Sequence, residues 1–116
     1  MAQHNELGKK GEQVAALYMK SKNYVIKYKN WRINRHEIDI VAENNEYIVF
    51  VEVKTRTTKQ WGHPSEFINN NKIRRIVNAA DLYLKLNDID KPARFDVISV
   101  VWNGTTYEID HIEDAF

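Results

Sequence analysis

Apolar residues recur at helical spacing in two stretches of the chain, and each stretch predicts a helix. The first runs from residue 5 to about residue 21, and the second follows three asparagines at residues 69–71, whose side chains can cap its amino end. Gly8 and Gly11 interrupt the first pattern, and each destabilises a helix by about 1 kcal/mol relative to alanine. Glycines kept at that cost indicate close approach of the helix backbone to a sheet or a ligand. The apolar stripe of the second helix consists of Ile73, Ile76, Val77, Ala80 and Leu84.

Between and after these helices the pattern changes to that of strands. YIVFVEV, at residues 47–53, is almost continuously β-branched and aromatic, which is typical of a strand buried on both faces. Asn44-Asn45 and Asn103-Gly104 read as two-residue turns, each joining a pair of strands. The order α-β-β-β-α-β-β therefore predicts one α/β domain over residues 1–116, with a mixed central β-sheet flanked by helices. The predicted strands are YVIKYKNWRI, HEIDIVAE, EYIVFVEVKTR, RFDVISVVW and TYEIDHI.

Composition adds exclusions. The chain of 116 residues has no cysteine, so disulfides and thiolate metal sites are excluded. No segment approaches the roughly 18 apolar residues of a membrane-spanning helix, and MAQHNELGKKGEQ lacks the apolar region of a signal peptide. We therefore expect a cytoplasmic protein that does not enter membranes.

The net charge of +1 hides a basic stretch between Gln13 and His36 that contains no acidic residue. Tyrosines and a tryptophan are interleaved with its lysines and arginines, a mixture that suits a phosphate backbone and unstacked bases. The same pattern is typical of an edge strand kept soluble by lysines, so this stretch alone does not decide. Lys72, Arg74 and Arg75 begin the second helix, where basic side chains oppose the helix dipole.

Charged residues on the first hairpin are the strongest chemical signal. A two-residue turn at Asn44-Asn45 sets Glu37 opposite Glu52 and makes Asp39 a diagonal neighbour of Glu52, about 7–8 Å away between backbones. Since side chains alternate along a strand, these three carboxylates and Lys54 are expected on one face. Like charges so placed need a cation between them.

Carboxylate oxygens without cysteine favour Mg²⁺ or Mn²⁺, here held by Asp39 and Glu52 with Glu37 beside them. A divalent metal next to a lysine can hydrolyse a phosphodiester, with the metal polarising the phosphate and Lys54 positioning or activating the attacking water. The alternative is a structural ion network without chemistry. A similar alternative holds for Asp96, which is expected to pair with Arg94 or a buried backbone group.

The spacing of Asp39 and Glu52-Val53-Lys54 resembles the motif of the PD-(D/E)xK nuclease superfamily. Longer matches cover essentially the whole chain and resemble the YraN-like family of uncharacterised bacterial proteins. Those matches are Gly8-x-x-Gly11-Glu12, EIDIVA at residues 37–42, FVEVKTR at residues 50–56, Trp61-Gly62, Ala79-Ala80, Tyr83-Leu84, RFDV at residues 94–97 and HIEDAF at residues 111–116.

The resemblance implies a restriction-endonuclease-like fold related to archaeal Holliday-junction resolvases. By analogy with those resolvases, it implies that Glu12 reaches in from the first helix as a further catalytic residue. His36 departs from the family, which usually has glycine before Glu37-Ile38-Asp39, and a histidine there narrows the approach to the site.

The predicted function is that of a metal-dependent endonuclease or exonuclease acting on DNA, in preference to RNA, including branched or processed DNA. Two alternatives stay open: a nucleic-acid-binding module that retains the acidic site without cleaving, and a structural adaptor, with a homodimer through a sheet edge as one form. The residues predicted to hold phosphates are Lys20, Lys22, Lys27, Lys29, Arg32, Arg35, Arg56, Lys59, Lys72, Arg74 and Arg75.

Overall fold

The computed structural model, which describes residues 2–57 and 69–116, has a five-stranded sheet between two helices. The order of elements is the predicted α-β-β-β-α-β-β, so the predicted fold class is confirmed. The helices and strands are α1 (Ala2–Ser21), β1 (Val25–Ile33), β2 (His36–Glu43), β3 (Ile48–Arg56), α2 (Asn70–Leu86), β4 (Ala93–Trp102) and β5 (Tyr107–Ile112).

The strands lie in the sheet in the order in which they occur in the chain, β1-β2-β3-β4-β5. β3 pairs in parallel with β4, and the other neighbouring pairs are antiparallel. A parallel pair needs a crossover connection, and α2 lies within the segment that supplies it. β3 is the central strand of the sheet, which explains why it is buried from Ile48 to Glu52.

The two helices cover opposite faces of the sheet. α1 packs through Ala15, Ala16 and Met19, whereas α2 packs through Ala79, Ala80 and Tyr83. Alternate residues of β3 divide between the two sides, with Val49 and Val51 facing α1 and Ile48 and Phe50 facing α2. This three-layer arrangement gives each face of β3 its own apolar cluster. No helix in the described part of the chain is both long enough and apolar enough to span a membrane.

Gly11 is the point of closest approach between α1 and the sheet. A Cβ built at Gly11 would lie 1.8 Å from Oγ1 of Thr55 and 2.7 Å from its Cβ, distances that no side chain can occupy. A Cβ built at Gly8 meets nothing within 4 Å among the described residues. The predicted close approach is therefore confirmed for Gly11, where the helix contacts the sheet, and for Gly8 it stays a prediction.

The β2–β3 and β4–β5 hairpins close on four-residue loops, so the two-residue turns predicted there are wrong. In the first loop, Oδ1 of Asn44 accepts hydrogen bonds from the backbone N–H groups of Glu46 and Tyr47. Asn103 caps the second loop in the same way. Because an asparagine side chain replaces backbone partners, each loop can be two residues longer than a tight hairpin turn.

The longer loop changes the predicted register of β2 against β3. Glu43 lies opposite Ile48, not Glu46, and Val41 lies opposite Phe50. The shift is two residues, and side chains have a period of two along a strand, so the paired residues Ile40–Glu43 and Ile48–Val51 keep their predicted faces.

α2 begins where its sequence predicted. Oδ1 of Asn69 accepts the backbone N–H of Lys72 at 2.9 Å and so caps the helix. Its buried face differs in part from the predicted stripe, because Val77 is 40% exposed while Tyr83 is buried. Tyr83 contacts the rings of Trp31 and Phe50 edge-on, which gives the helix a larger apolar anchor than valine would.

Candidate active site

The regular pairing of β2 and β3 ends at Asp39. The last ladder pair is Ile40 with Val51, and beyond it Oδ2 of Asp39 accepts the backbone N–H of Val53 at 2.8 Å. Ile38 packs on the α2 side while Ile40 packs on the α1 side, although residues two apart on a regular strand share a face. The alternation is therefore broken at Asp39, whose carboxylate replaces a backbone partner between the two strands.

Glu52 lies next to Asp39. Continuing the β2–β3 register by one residue sets the two directly opposite each other, and their side chains are in hydrogen-bond contact. Burial, followed by the charge of Asp39 and its hydrogen bond, raises the pKa of Glu52 from 4.5 to about 8. The predicted proximity of the two carboxyl groups is confirmed.

Lys72 supplies a positive charge to this pair. Its Nζ lies 3.4 Å from Oε1 of Glu52, and this contact opposes the rise in the pKa of Glu52. The pairing also explains a lysine in the first turn of α2, because a buried carboxylate offsets the unfavourable helix dipole. The sequence predicted only a phosphate contact for Lys72, and the signal that could have revealed its position was the basic start of α2.

A cavity of about 210 Å³ opens over these groups on the α2 side of the sheet. Acidic residues from β2 and β3 line one part of it, and basic residues from the β1–β2 turn and α2 line another. The site thus places carboxylates and cations within one small volume. The lining residues are Arg35, Glu37, Asp39, Glu52, Lys72, Arg75 and Ile76.

Glu37 and Glu12 approach Asp39 from different elements. Glu37 lies opposite Arg32 of β1, and Nη2 of Arg32 donates a hydrogen bond to Oε1 of Glu37 at 3.3 Å. Glu12 comes from α1, one residue after the glycine that contacts the sheet. Burial, followed by the charge of Asp39, raises the pKa of Glu12 above its usual value, while a hydrogen bond with the Asn30 side chain lowers it.

Lys54 projects from the same face of β3 as Glu52, as its spacing predicted, because β3 stays in regular register with β4 through this region. It is half-buried, yet it is not among the residues that line the cavity. Its neighbour on β4 is Ser99, whose buried Oγ has no hydrogen-bond partner within the described residues. Its predicted catalytic role stays a prediction.

The basic residues predicted to hold phosphates are divided between two ends of β1. Arg35 lies at the cavity end, where Lys72 and Arg75 join it from α2. At the other end, roughly 25 Å away by the rise of a nine-residue strand, Lys27 pairs with Glu43 at 3.4 Å. Lys59 lies outside the described residues. The remaining members are Lys20 and Lys22 at the end of α1, Lys29 and Arg32 on β1, Arg56 at the end of β3 and Arg74 on α2.

Asp96 belongs to a separate network on the α1 side. Arg94 donates to both of its carboxylate oxygens, at 2.9 and 2.8 Å, and His111 Nε2 lies 2.7 Å from Oδ2. Burial alone would raise the pKa of Asp96, but these partners and the backbone N–H of Asp114 hold it below its usual value. The predicted pairing with Arg94 is confirmed, and this network fixes the carboxyl-terminal segment against β4.

The donors at Asp39 and Glu52 fit a hard divalent cation. Two adjacent carboxylates in a partly buried site repel each other when both are ionised, and a shared cation removes that repulsion. Within residues 2–57 and 69–116, no group of three or more histidine, aspartate or glutamate side chains is arranged to hold a metal ion. Mg²⁺ commonly binds through one or two carboxylates and keeps several waters, so a pair is compatible with it.

Comparison with known proteins gives consistent matches along the chain. The family described as "Uncharacterised protein family UPF0102" matches residues 11–100. A UPF0102 protein of Bacteroides thetaiotaomicron is 47% identical over 116 residues, which cover 100% of this chain and 96% of that protein. UPF0102 proteins of Phocaeicola vulgatus and Christiangramia forsetii are 45% and 40% identical over the same length, covering 96% and 98% of their chains.

Proposed function

This chain belongs to the UPF0102 family, the YraN-like proteins that its motifs resemble, and from its acidic site we propose that it is a metal-dependent nuclease hydrolysing phosphodiester bonds in DNA. The observation that carries the proposal is the hydrogen-bonded pair of Asp39 and Glu52 at a cavity that also holds three basic side chains. Membership of the PD-(D/E)xK superfamily and action on branched or processed DNA in the cytoplasm are parts of the same proposal.

In this proposal Asp39 and Glu52 hold one Mg²⁺ or Mn²⁺. The bound ion would polarise the scissile phosphate and lower the pKa of a coordinated water. The hydrogen bond from the Val53 N–H fixes the Asp39 carboxylate before the ion arrives. Such a second contact is how proteins orient ligands and tune their basicity.

The basic side chains supply the phosphate contacts. Arg35 and Arg75 border the acidic pair, where their guanidinium groups can bind phosphate oxygens in bidentate geometry. Lys54 shares the face of Glu52 and is assigned to the attacking water or to charge that develops on the phosphate. Glu12, whose carboxyl group lies close enough for the charge of Asp39 to raise its pKa, is assigned an assisting role.

The alternative that the geometry favours next is a DNA-binding module that does not cleave. The observation in its favour is that Lys54 does not line the cavity with the two carboxylates. The arrangement would then bind phosphates through Arg35, Lys72 and Arg75 without activating water.

A cleavage panel tests the proposal. Duplex, single-stranded, flap and four-way DNA are incubated with the wild type in Mg²⁺, Mn²⁺ or EDTA, beside Asp39→Asn and the exposed control Asp81→Asn. We expect cleavage of at least one substrate by the wild type and by Asp81→Asn, and none by Asp39→Asn or in EDTA. Binding without cleavage on every substrate would support the non-cleaving module, and cleavage by Asp39→Asn would overturn the proposed site.

A further inference from the structure

The Lys72 ammonium lies beside the proposed metal site. Its Nζ is 3.4 Å from Oε1 of Glu52, and Glu52 in turn contacts Asp39. The ammonium therefore occupies one side of the carboxylate pair that is proposed to hold the metal. A divalent ion on the Glu52 carboxylate would repel an ammonium held about 4 Å from it, which weakens the contact between Lys72 and Glu52.

Burial indicates which partner of this contact can move. The Glu52 side chain is 10% exposed and is fixed on the central strand, whereas the Lys72 side chain is 41% exposed. Lysine carries its charge on a flexible four-carbon stem, so its ammonium can move into solvent or toward a ligand without moving the backbone. Its backbone is anchored, because Asn69 caps the helix through the Lys72 N–H.

The surroundings of Lys72 offer it a second partner. Arg75 lies one helical turn further along α2, and Arg35 lines the same cavity from the β1–β2 turn. A phosphate that enters the cavity would meet all three cations, and releasing the ammonium from Glu52 would make it available for a phosphate oxygen.

We propose that Lys72 is an exchangeable internal cation: it pairs with Glu52 in the metal-free protein, is displaced by the divalent ion, and then binds the substrate phosphate. This inference rests on the proposed function, because it assumes a metal at Asp39 and Glu52. It gives Lys72 two successive partners, the Glu52 carboxylate and the substrate phosphate, within the cavity that Arg35 and Arg75 also line.

The displacement can be measured by the chemical reactivity of the lysine. The wild type is acetylated briefly with and without saturating Mg²⁺, and modification of Lys72 is quantified by mass spectrometry. Lys85 is an internal control, because it is paired with Asp81 at 2.8 Å on the same helix. We expect Mg²⁺ to increase the modification of Lys72 about 3- to 10-fold and to leave Lys85 unchanged.

Metal affinity supplies the second readout. Removal of a competing cation should tighten Mg²⁺ binding by Lys72→Met about 3- to 10-fold, as expected for a partly exposed pair, while Lys85→Met binds like the wild type. Lys72→Met should also weaken DNA binding in Ca²⁺, since the released ammonium is absent.

The outcomes separate the two proposals. If Mg²⁺ binds and the DNA is cleaved but the reactivity of Lys72 does not change, the exchange is refuted and the nuclease function stands. If the wild type binds no Mg²⁺ by calorimetry, the exchange and the proposed function are both refuted.

Discussion

Glu52→Gln is the substitution with the clearest expected energetics. It replaces a buried carboxyl group by a neutral amide of nearly the same shape, which can still donate a hydrogen bond to Asp39. Burial and Asp39 raise the pKa of Glu52 from 4.5 to about 8, so the folded protein holds this proton more tightly than the unfolded chain. A raised pKa stabilises the fold below about pH 4.5, and this stabilisation is lost as the pH rises through about 8.

The size of the loss follows from the two pKa values. At about 1.4 kcal/mol for each pH unit, the difference between 4.5 and about 8 corresponds to roughly 5 kcal/mol as an upper limit. Side-chain relaxation and water entry reduce such penalties, so we expect the metal-free wild type to lose about 2–3 kcal/mol between pH 5 and pH 9. Glu52→Gln should lose much less and should be the more stable protein at pH 9.

Urea unfolding in EDTA at pH 5, 7 and 9 measures these free energies. Glu46→Gln is the matched control, because it removes the same charge from an exposed loop position of the same hairpin. The control should follow the wild-type pH dependence. Equal pH dependence for the wild type and Glu52→Gln would refute the reasoning, since it would mean that Glu52 titrates alike in the folded and unfolded states.

Three further predictions concern the scaffold and the mechanism. Gly11→Ala should destabilise the protein by about 1–3 kcal/mol or more in thermal unfolding, because its Cβ meets Thr55. Gly8→Ala should stabilise the protein by up to about 1 kcal/mol, and equal effects of the two substitutions would contradict the close approach at Gly11. Lys54→Ala should lower the cleavage rate about 100- to 1,000-fold in steady-state assays while Mn²⁺ affinity stays within about twofold, and a parallel loss of affinity would make Lys54 part of the metal site. Asp96→Ala should lower the free energy of unfolding in urea at pH 7 by about 3–5 kcal/mol, because it leaves Arg94 buried without its bidentate partner. Since the pKa of Asp96 is lowered in the folded protein, its stabilising effect is present above about pH 4 and is lost as the pH falls. A variant as stable as the wild type at pH 7 would refute this prediction.

The sequence was sufficient for the order of elements because each one carries a strong local signal. The register of the β2–β3 hairpin was predicted wrongly, because Asn44 caps a four-residue loop through its own side chain. Two adjacent asparagines in the sequence do not distinguish this loop from a two-residue turn. The acidic pair was nevertheless predicted on one face, because a shift of two residues preserves the faces of a strand.

Contacts between distant segments were the part that the sequence could not predict. Lys72 meets Glu52 only because α2 packs back over β2, and nothing in the local pattern of either residue records that geometry. The one available signal was a lysine at the start of a helix, which is unfavourable unless a carboxylate lies nearby. The break in the β2 alternation at Asp39 could not be predicted for the same reason, because it accompanies a hydrogen bond from Val53 on a different strand.

A Mn²⁺ titration followed by electron paramagnetic resonance at pH 8.5 decides whether Asp39 and Glu52 together hold one divalent cation. We expect one bound ion per wild-type chain, binding weakened at least about tenfold in Asp39→Asn and in Glu52→Gln, and wild-type binding in the exposed control Asp81→Asn. Wild-type affinity in Asp39→Asn, or no bound Mn²⁺ in the wild type at millimolar concentration, would contradict this expectation.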